Sequence, residues 1–276
     1  MTEVKILQNL HTHSTFCDGK NTPREMVEEA IRRGFTSLGF SGHAPSQLHS
    51  GCEIKDFPGY ASEIKALKEE YSDRLEIFLG LELDYYSVGL YPELEYDYKI
   101  GSVHMTKHQS GGFIVYDNSY ETAIRCCTQY CGGDSMIYAK GYYETVADMP
   151  NVLDADIVGH FDLLTKFSEL HPEFIDTDSG VYRGYALEAL HAVREKMEFF
   201  EVNTGAIGRG YRTTPYPAPF ILDEMKLLDC KLLISSDCHN KDFLDVGFED
   251  TKKYLKAHGF DTVYYLTASG FAGERI

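Results

Sequence analysis

Positive charge is scarce in this sequence. Only 26 Lys and Arg residues stand against 43 Asp and Glu residues, which gives a formal net charge of −17. A protein that binds nucleic acid in general needs a basic face to neutralise phosphates, so this balance argues against that class. It leaves many carboxylates available for cations, although an acidic balance is also common in cytosolic proteins. We therefore expect a small-molecule partner and no nucleic acid.

Long apolar runs and export signals are also missing. No run approaches the roughly 18 uncharged apolar residues that indicate a membrane span. The start, MTEVKILQNL, lacks a basic segment followed by a long apolar stretch, as a signal peptide would have. Seven cysteines, an odd number, are typical of reduced thiols in such a chain. These features predict a cytoplasmic protein without membrane contact, and they do not predict its oligomeric state.

Linkers and internal repeats are absent too, so we predict a single domain over residues 1–276. Short apolar stretches alternate with amphipathic helical ones such as NTPREMVEEAIRRGF, in which Thr22 is a predicted N-cap and Gly34 a predicted C-cap. Seven or eight such steps, the last ending in the strand-like TVYYLT, predict parallel strands joined by crossover helices. We expect an α/β barrel rather than an open doubly wound sheet. No GxGxxG or GxxxxGK[ST] follows the first strand, which weakens a nucleotide-binding alternative.

Metal-binding side chains, in contrast, are plentiful at the ends of the predicted strands. The stretch NLHTHSTFCDGK places His11 and His13 two residues apart, and a strand directs such residues to the same side. In a β/α barrel, the carboxyl ends of all strands open onto the face that carries active sites. Eight residues of this kind follow six different predicted strands: His11, His13, His43, Glu82, His104, His160, Asp237 and His239. We therefore predict that they converge on one metal centre.

Each of these residues also has a simpler interpretation as a core or rim side chain, but six strand-end histidines at once make that interpretation weak. Asp18, in the turn CDGK, is a ninth candidate ligand and otherwise a turn former. Imidazole and carboxylate ligands without thiolate suit zinc, manganese or iron, and the sequence does not choose among them. Nine ligands are too many for one ion. They predict two or three divalent ions, with Glu82 as a bridging carboxylate.

The motifs resemble those of the PHP superfamily (polymerase and histidinol phosphatase), and within it the histidinol-phosphate phosphatase branch. The matching motifs, in the family's order, are HTHSTFCDG, FSGHAP, GLELDY, IGSVH, IVGHFDLL, EVNTG and SSDCH. They span residues 11–239, and IGSVH, GHFDL and EVNTG favour the histidinol-phosphatase branch. The resemblance implies a distorted, TIM-like (β/α)7 barrel with a trinuclear metal site.

The resemblance also implies how the ligands divide among three ions. The three sets are His11, His13, Glu82 and Asp237; Glu82, His104 and His160; and Asp18, His43 and His239. Asp18 stands where other superfamily members have a histidine, which agrees with the branch but leaves the metal of the third site open. The segment 125–149 matches no motif. Shaping the substrate pocket is one interpretation of it, and the sequence leaves its role open.

The activity that the resemblance implies is hydrolysis of L-histidinol phosphate to L-histidinol and inorganic phosphate, a step of histidine biosynthesis. A hydroxide bridging two ions would attack phosphorus in line. Asp162, on the same strand side as His160, is a candidate general acid or else orients a histidine. Arg209 and Arg212 are candidates for a phosphate clamp, because guanidinium pairs bidentately with phosphate oxygens, and otherwise are solvated loop residues. Asn203, at the end of its strand, is a candidate for positioning substrate or water.

Two other functions fit the same motifs. One is a PHP-family phosphoesterase that acts on another small phosphomonoester or a nucleotide. The other is a non-catalytic, metal-binding regulator. Every predicted ligand position holds a residue able to bind metal, which weighs against the regulator.

Overall fold

A computed structural model describes residues 6–48 and 51–276 of the protein. The strands, in chain order, are β1 (Gln8–Asn9), β2 (Ser37–Phe40), β3 (Glu76–Asp84), β4 (Tyr98–Ser102), β5 (Met105–Lys107), β6 (Phe113–Val115), β7 (Ile157–Val158), β8 (Phe199–Asn203), β9 (Lys231–Ser235), β10 (Thr262–Thr267) and β11 (Gly270–Arg275). The α-helices are α1 (Pro23–Arg33), α2 (Phe57–Glu70), α3 (Tyr120–Cys131), α4 (Ser135–Val152), α5 (Gly180–Arg194), α6 (Gly205–Gly208), α7 (Pro219–Leu227) and α8 (Phe248–Ala257). Two short 3-10 helices cover Leu163–Thr165 and Lys241–Phe243.

Seven strands form one parallel sheet in the order β1-β2-β3-β4-β7-β8-β9. The first and last strands approach each other at their carboxyl ends, where Thr12 and Cys238 form a parallel bridge. The His13 amide donates to the Cys238 carbonyl at 3.0 Å, and the Cys238 amide donates to the His11 carbonyl at 3.2 Å. The sheet is therefore a nearly closed, seven-stranded barrel, which confirms the predicted fold class. The barrel closes at the two segments that carry HxH and DxH.

Apolar side chains fill the barrel interior below this closure. They are Leu10, Phe78, Tyr98, Ile100, Ile157, Leu233 and Leu266. Leu266 comes from the β10–β11 hairpin, which pairs antiparallel and does not join the barrel. The Gln8 side chain bonds both the amide and the carbonyl of Leu266, each at 2.8 Å. The predicted strand TVYYLT therefore exists, but it covers the amino end of the barrel instead of extending the sheet.

The helix ends follow the sequence signals. The Thr22 side chain accepts from the Glu25 amide and the Glu25 carboxylate accepts from the Thr22 amide, so α1 begins with a capping box. Gly34 ends the helix with φ of 80°, a conformation that favours glycine. Among the helices of the described residues, none is both long and apolar enough to cross a membrane.

Candidate metal centre

Glu82 lies at the centre of the predicted ligands. Its Oε2 atom is 3.2 Å from His11 Nε2 and 2.9 Å from His43 Nδ1. Its Oε1 atom is 3.3 Å from His104 Nε2 and 3.1 Å from His160 Nε2. Glu82 is buried in the last part of β3, while the four histidines follow four other strands. One carboxylate thus contacts imidazoles from four strand ends, as a bridging ligand would.

Asp237 forms a second centre beside Glu82. Its Oδ1 atom is 3.2 Å from His13 Nε2, 3.6 Å from His11 Nε2 and 3.6 Å from His239 Nδ1. Its φ angle is +44°, in the left-handed region that residues with a side chain rarely adopt. Such strain is concentrated at functional sites, where the surrounding contacts hold it. Asp237 in this conformation has its carboxylate beside the two histidines that follow β1.

Asp18 lies at the outer side of the cluster. Its Oδ1 atom is 3.3 Å from His239 Nε2, 3.6 Å from His43 Nε2 and 3.9 Å from His13 Nδ1. The side chain is about one-third exposed, unlike those of Glu82 and the β1 histidines. The structure therefore brings all nine predicted ligands together at one mouth of the barrel.

The donor atoms fit metal ions. His11 Nε2, His13 Nε2 and Glu82 Oε2 are buried without a hydrogen bond of acceptable geometry. Buried polar atoms normally have a partner, so three unbonded ones at one point fit a metal ion that these atoms would bind. Four groups hold donor atoms within 4.8 Å of one another: His13, Asp18, His43 and His239; His11, His13 and Asp237; His11, Glu82 and His160; and His43, Glu82 and His104. Because the groups share members, they suit two or three ions rather than four.

The cluster is charged in a way that suits cations. Burial raises the pKa of Glu82, but His11, His43 and His104 outweigh it and hold that pKa well below its usual range. Burial also raises the pKa of Asp237, but Arg209 and His11 outweigh this effect and hold that pKa well below its usual range. Both carboxylates are therefore ionised at neutral pH. Burial, together with His239 and His43, lowers the pKa of His13 to about 3, which leaves its imidazole neutral and able to bind metal.

Glu201 begins the motif EVNTG, but the sequence analysis assigned it no role. Its Oε1 atom is 2.6 Å from His11 Nδ1, and its Oε2 atom accepts from the His160 amide at 2.7 Å. A carboxylate on the second nitrogen of a ligand histidine fixes the tautomer and the ring orientation. The signal was present in FFEVN, where Glu201 and Asn203 alternate and so face the barrel interior together.

Asn203 lies next to Glu201 and outside the substrate cavity. Its amide nitrogen donates to Glu201 Oε2 at 2.9 Å, and its side-chain oxygen accepts from the Gly205 amide at 2.8 Å. The side chain is fully buried and is not among the residues that line the cavity above the cluster. The structure thus places Asn203 where it supports Glu201, and does not bring it to a substrate.

Arg209 lies at the cluster, as predicted for a phosphate clamp. Its guanidinium donates to Asp237 Oδ2 at 2.7 Å and to the Asp237 carbonyl at 3.1 Å. The side chain is 30% exposed and lines the cavity above the ligands. Arg212, in contrast, lies away from the cluster and lines a different cavity. Its guanidinium carbon lies over the Tyr216 ring, 4.5 Å from the ring centroid. The loop that follows Arg209 carries Arg212 to the other side of the Leu163–Thr165 turn.

Asp162 is buried beneath the cavity with no exposed surface. Its Oδ2 atom accepts from the Ala218 amide at 3.0 Å and from the Thr165 hydroxyl at 3.4 Å, and its Oδ1 atom has no partner. Burial raises its pKa, although Arg212 opposes this effect. Among the described residues, its hydrogen bonds include none to a ligand histidine. The structure therefore brings Asp162 neither to the cavity, as a general acid requires, nor to the ring of His160.

A cavity of about 650 Å³ opens above the ligands. Lys166, Asp117 and Asp84 line it, and the sequence analysis named none of them. The Lys166 ammonium donates to the Asp117 carbonyl at 2.6 Å and lies 3.7 Å from the Asp117 carboxylate. The segment 125–149, whose role the sequence left open, supplies none of the residues that line this cavity. That segment forms parts of α3 and α4, which contribute Cys126, Tyr138, Tyr142 and other side chains to the core.

The chain is similar to proteins of known class over most of its length. The family model described as "PHP domain" matches residues 9–205. A histidinol-phosphatase of Bacillus subtilis is 30% identical over 261 residues, which are 86% of this chain and 94% of that protein. A Schizosaccharomyces pombe protein named "probable histidinol-phosphatase" is 29% identical over 274 residues, 92% of this chain and 87% of that one. The chain belongs to the PHP domain family.

A solved structure shares the fold. It is the crystal structure of histidinol phosphate phosphatase from Lactococcus lactis, which is complexed with zinc, L-histidinol and phosphate. The TM-score is 0.72 at 21% identity, and the match covers 96% of this chain and 98% of that one. This similarity agrees with the seven-stranded barrel and confirms the predicted fold.

Proposed function

We propose that this protein is a histidinol-phosphatase, a phosphoric monoester hydrolase that converts L-histidinol phosphate to L-histidinol and inorganic phosphate. Relatives of that name match it over most of its length. The observation that carries the proposal is the position of Glu82, which contacts histidines from four strand ends at the floor of a cavity suited to a small molecule.

We assign the metal ligands to three ions, and zinc is the metal we expect because the Lactococcus lactis enzyme holds it. His11, His13, Glu82 and Asp237 would hold the first ion, Glu82, His104 and His160 the second, and Asp18, His43 and His239 the third. Divalent ions in such a site supply a nucleophile near neutral pH and neutralise charge on the phosphoryl group. Glu201 orients His11 for this role, because it accepts from the imidazole nitrogen that faces away from the cluster.

Cationic side chains of the cavity bind the phosphoryl group in this proposal. Arg209 is held by Asp237, so its guanidinium is fixed beside the ligands with further N–H donors available to phosphate oxygens. Lys166 lies on the same cavity wall, where its ammonium is held by the Asp117 carbonyl. Burial lowers the pKa of Lys166, although Asp117 opposes this effect. The two cations are positioned to bind oxygens of one dianionic group.

Carboxylates of the same cavity suit the other end of the substrate, which carries an amino group and an imidazole. Asp117 lines the cavity, and Lys166 and nearby histidines overcome the effect of burial and hold its pKa below its usual range. Asp84 lines the wall as well, and its carboxylate accepts from the His104 amide at 3.0 Å. An ionised Asp117 would attract the substrate ammonium and thereby orient the ester towards the ions. We infer a cytoplasmic enzyme, since no disulfide bond joins the cysteines of the described residues.

The test is phosphate release from L-histidinol phosphate and from a panel of other phosphomonoesters, with metal content assayed in parallel. We expect a strong preference for L-histidinol phosphate and loss of turnover in Asp237→Ala. Asp250→Ala is the matched control, because Asp250 is exposed and pairs only with Lys253 among the contacts described for it. Equal and slow turnover of every ester would overturn the substrate and leave a PHP phosphoesterase of another specificity. Full turnover without metal would overturn the whole proposal.

A further inference from the structure

Two segments carry the cations that we assign to the phosphoryl group. The turn of residues 162–169 carries Lys166, and the loop of residues 209–218 begins with Arg209. Both cations line the cavity above the metal ligands. Burial lowers the pKa of Lys166, and the positive charge of Arg209 lowers it further, so each cation lies within the field of the other. Like charges on two loops move apart unless other contacts hold the loops together.

Glu169 joins the two segments at their outer side. Its Oε2 atom accepts from the amide and the hydroxyl of Thr213, at 2.6 and 2.8 Å. Its Oε1 atom accepts from the amide and the hydroxyl of Thr214, at 3.3 and 3.0 Å. Burial raises the pKa of Glu169, but the bonds from Thr213 and from the Thr214 hydroxyl outweigh this effect and hold the pKa below its usual range. The carboxylate is therefore ionised at neutral pH, and both of its oxygens bind the 209–218 loop.

Arg212 joins the same segments at their inner side. The residue is 8% exposed, and its guanidinium donates to the hydroxyls of Thr165 and Thr214. The Thr165 hydroxyl in turn donates to the Asp162 carbonyl at 2.7 Å, which fixes the turn on itself. Arg212 is not among the residues that line the cavity above the metal ligands. Because Thr165 directly precedes Lys166, Arg212 instead holds the backbone that carries the ammonium group.

Aromatic rings complete the junction between the segments. Phe167 and Tyr211, one from each segment, pack edge to face with their ring centroids 5.2 Å apart. The Lys166 ammonium lies 5.6 Å from the Phe167 centroid and 5.5 Å from the Tyr211 centroid, where ring faces attract a cation. Lys166 thus contacts both segments, and its position relative to Arg209 depends on how they are joined.

We propose that Glu169 and Arg212 are positioning residues, which lock the two segments together and so hold Lys166 beside the other cation of the cavity. This role rests on the proposed function, in which Lys166 and Arg209 bind the phosphoryl oxygens. Arg212 then acts on the phosphoryl group through Thr165 and does not touch it, unlike the clamp that the sequence predicted. The contacts described for Glu169 and Arg212 include no metal ligand. Their loss therefore weakens phosphate binding more than it slows turnover.

Calorimetric titration of the metal-loaded protein with inorganic phosphate tests this role without turnover. We expect Glu169→Gln and Arg212→Met each to weaken phosphate binding about tenfold, because Lys166 is then no longer fixed in the cavity. Arg212→Lys should weaken it less, since lysine keeps the charge and can still donate to one hydroxyl. Phosphate binding that is unchanged in both Glu169→Gln and Arg212→Met would overturn the positioning role.

Glu173→Gln and Arg183→Met are the matched controls. Glu173 is exposed and accepts from the Tyr120 hydroxyl, and Arg183 pairs with Asp178. Arg183 lines the same cavity as Arg212, apart from the metal centre. None of the contacts described for the two control residues reaches either segment, so we expect both variants to bind phosphate as the unmodified protein does.

A double-mutant cycle with Lys166→Met separates positioning from a general loss of stability. If Glu169 acts through Lys166, then Lys166→Met weakens phosphate binding by itself, and adding Glu169→Gln causes no further loss. Equal effects of Glu169→Gln with and without Lys166→Met would overturn the positioning role. Phosphate binding that is unaffected by Lys166→Met would overturn both the assignment of Lys166 to the phosphoryl group and the role of Glu169.

Steady-state kinetics distinguish this role from the proposed function. We expect Glu169→Gln to raise KM for L-histidinol phosphate about tenfold and to change kcat less than about threefold, because binding is lost and the metal ligands are kept. A fall in kcat at an unchanged KM would overturn the positioning role. If the unmodified protein did not hydrolyse L-histidinol phosphate, the proposed substrate would be wrong, while the calorimetric cycle would still decide whether Glu169 and Arg212 position Lys166.

Discussion

At the scale of single residues, Glu201 shows how a side chain that is not itself a predicted ligand can control the metal centre. It contacts His11, the His160 amide and Asn203, and it also accepts from the Ser235 hydroxyl. Burial raises its pKa, but His11 outweighs this and holds the pKa below its usual range. An ionised carboxylate accepts all of these bonds at once, which a neutral amide does not.

We predict that Glu201→Gln lowers metal affinity by about 10- to 100-fold, because the amide leaves the His11 ring less firmly oriented. Metal content after dialysis against a graded chelator series measures this. Glu198→Gln is the matched control, since Glu198 lies just before the same strand and its exposed carboxylate pairs with Lys231. If Glu201 acts through its neighbours, excess metal restores kcat. A kcat that stays low at saturating metal would contradict a positioning role.

Arg209 is the second residue whose proposed role can be tested at this scale. We predict that Arg209→Met weakens inhibition by inorganic phosphate about 10- to 100-fold, because one charge-assisted hydrogen-bond partner contributes roughly 1.5–3 kcal/mol. The inhibition constant of Arg209→Lys should lie between those of the unmodified protein and Arg209→Met, since lysine keeps the charge and lacks the planar fork of the guanidinium. Arg183→Met controls for removal of an arginine, because Arg183 lines the other cavity. Equal inhibition constants in all four proteins would exclude Arg209 from phosphate binding.

At the scale of elements, the close approach of β3 and β4 depends on glycine. A Cβ atom on Gly80 would lie 2.3 Å from the Tyr98 ring, and one on Gly39 would lie 2.3 Å from the Tyr98 hydroxyl. Tyr98 is buried, and its hydroxyl donates to the Leu10 carbonyl just before the HxH motif. These glycines leave room for a large ring inside the barrel, directly below the metal centre.

We predict that Gly80→Ala lowers the free energy of unfolding by about 1–3 kcal/mol, because the added methyl group overpacks the barrel interior. Gly184→Ala is the opposite control. Gly184 lies inside α5 with no heavy atom within 4 Å of its Cβ position, so alanine should raise stability by about 0.5–1 kcal/mol. Urea denaturation of both variants measures the difference. A stable Gly80→Ala protein would show that Tyr98 moves aside at little cost.

At the scale of the whole molecule, the metal centre joins the ends of the barrel. The candidate ligands lie in or after β1, β9 and four of the five strands between them. In the described part of the chain, β1 meets β9 through the bridge at Thr12 and Cys238 and a few further contacts. The same region holds buried carboxylates, Glu82 and Asp237, whose charge bound cations would compensate. Metal binding is therefore expected to stabilise the closed barrel as well as to enable catalysis.

We predict that chelation lowers the melting temperature by several degrees and abolishes turnover. A ligand that binds only the folded state, at about 100 times its Kd, contributes about 2.7 kcal/mol of stability. Scanning calorimetry before and after chelator treatment measures the change, and added zinc should restore both properties. An unchanged melting temperature after complete metal removal would mean that protein contacts alone close the barrel.

The sequence predicted the barrel and the nine candidate ligands because both depend on local order. Strand and helix periods appear directly in the chain, and parallel strands bring their carboxyl ends to one face whatever the side-chain packing. The caps of α1 are similarly local. The single domain over residues 1–276 and the role of each ligand stay predictions.

Tertiary structure alone decided which residues meet across the barrel. Glu201 begins the motif EVNTG, but the motif does not show which residue it contacts, because its contact with His11 depends on two strands far apart in sequence. Arg209 and Arg212 are three residues apart, yet the turn between them sends their side chains to different cavities. Asp162 and Asn203 follow the expected strands, but their side chains are held by backbone amides below the cavity. Sequence spacing fixes the side of a strand, whereas depth and partners follow from packing between strands.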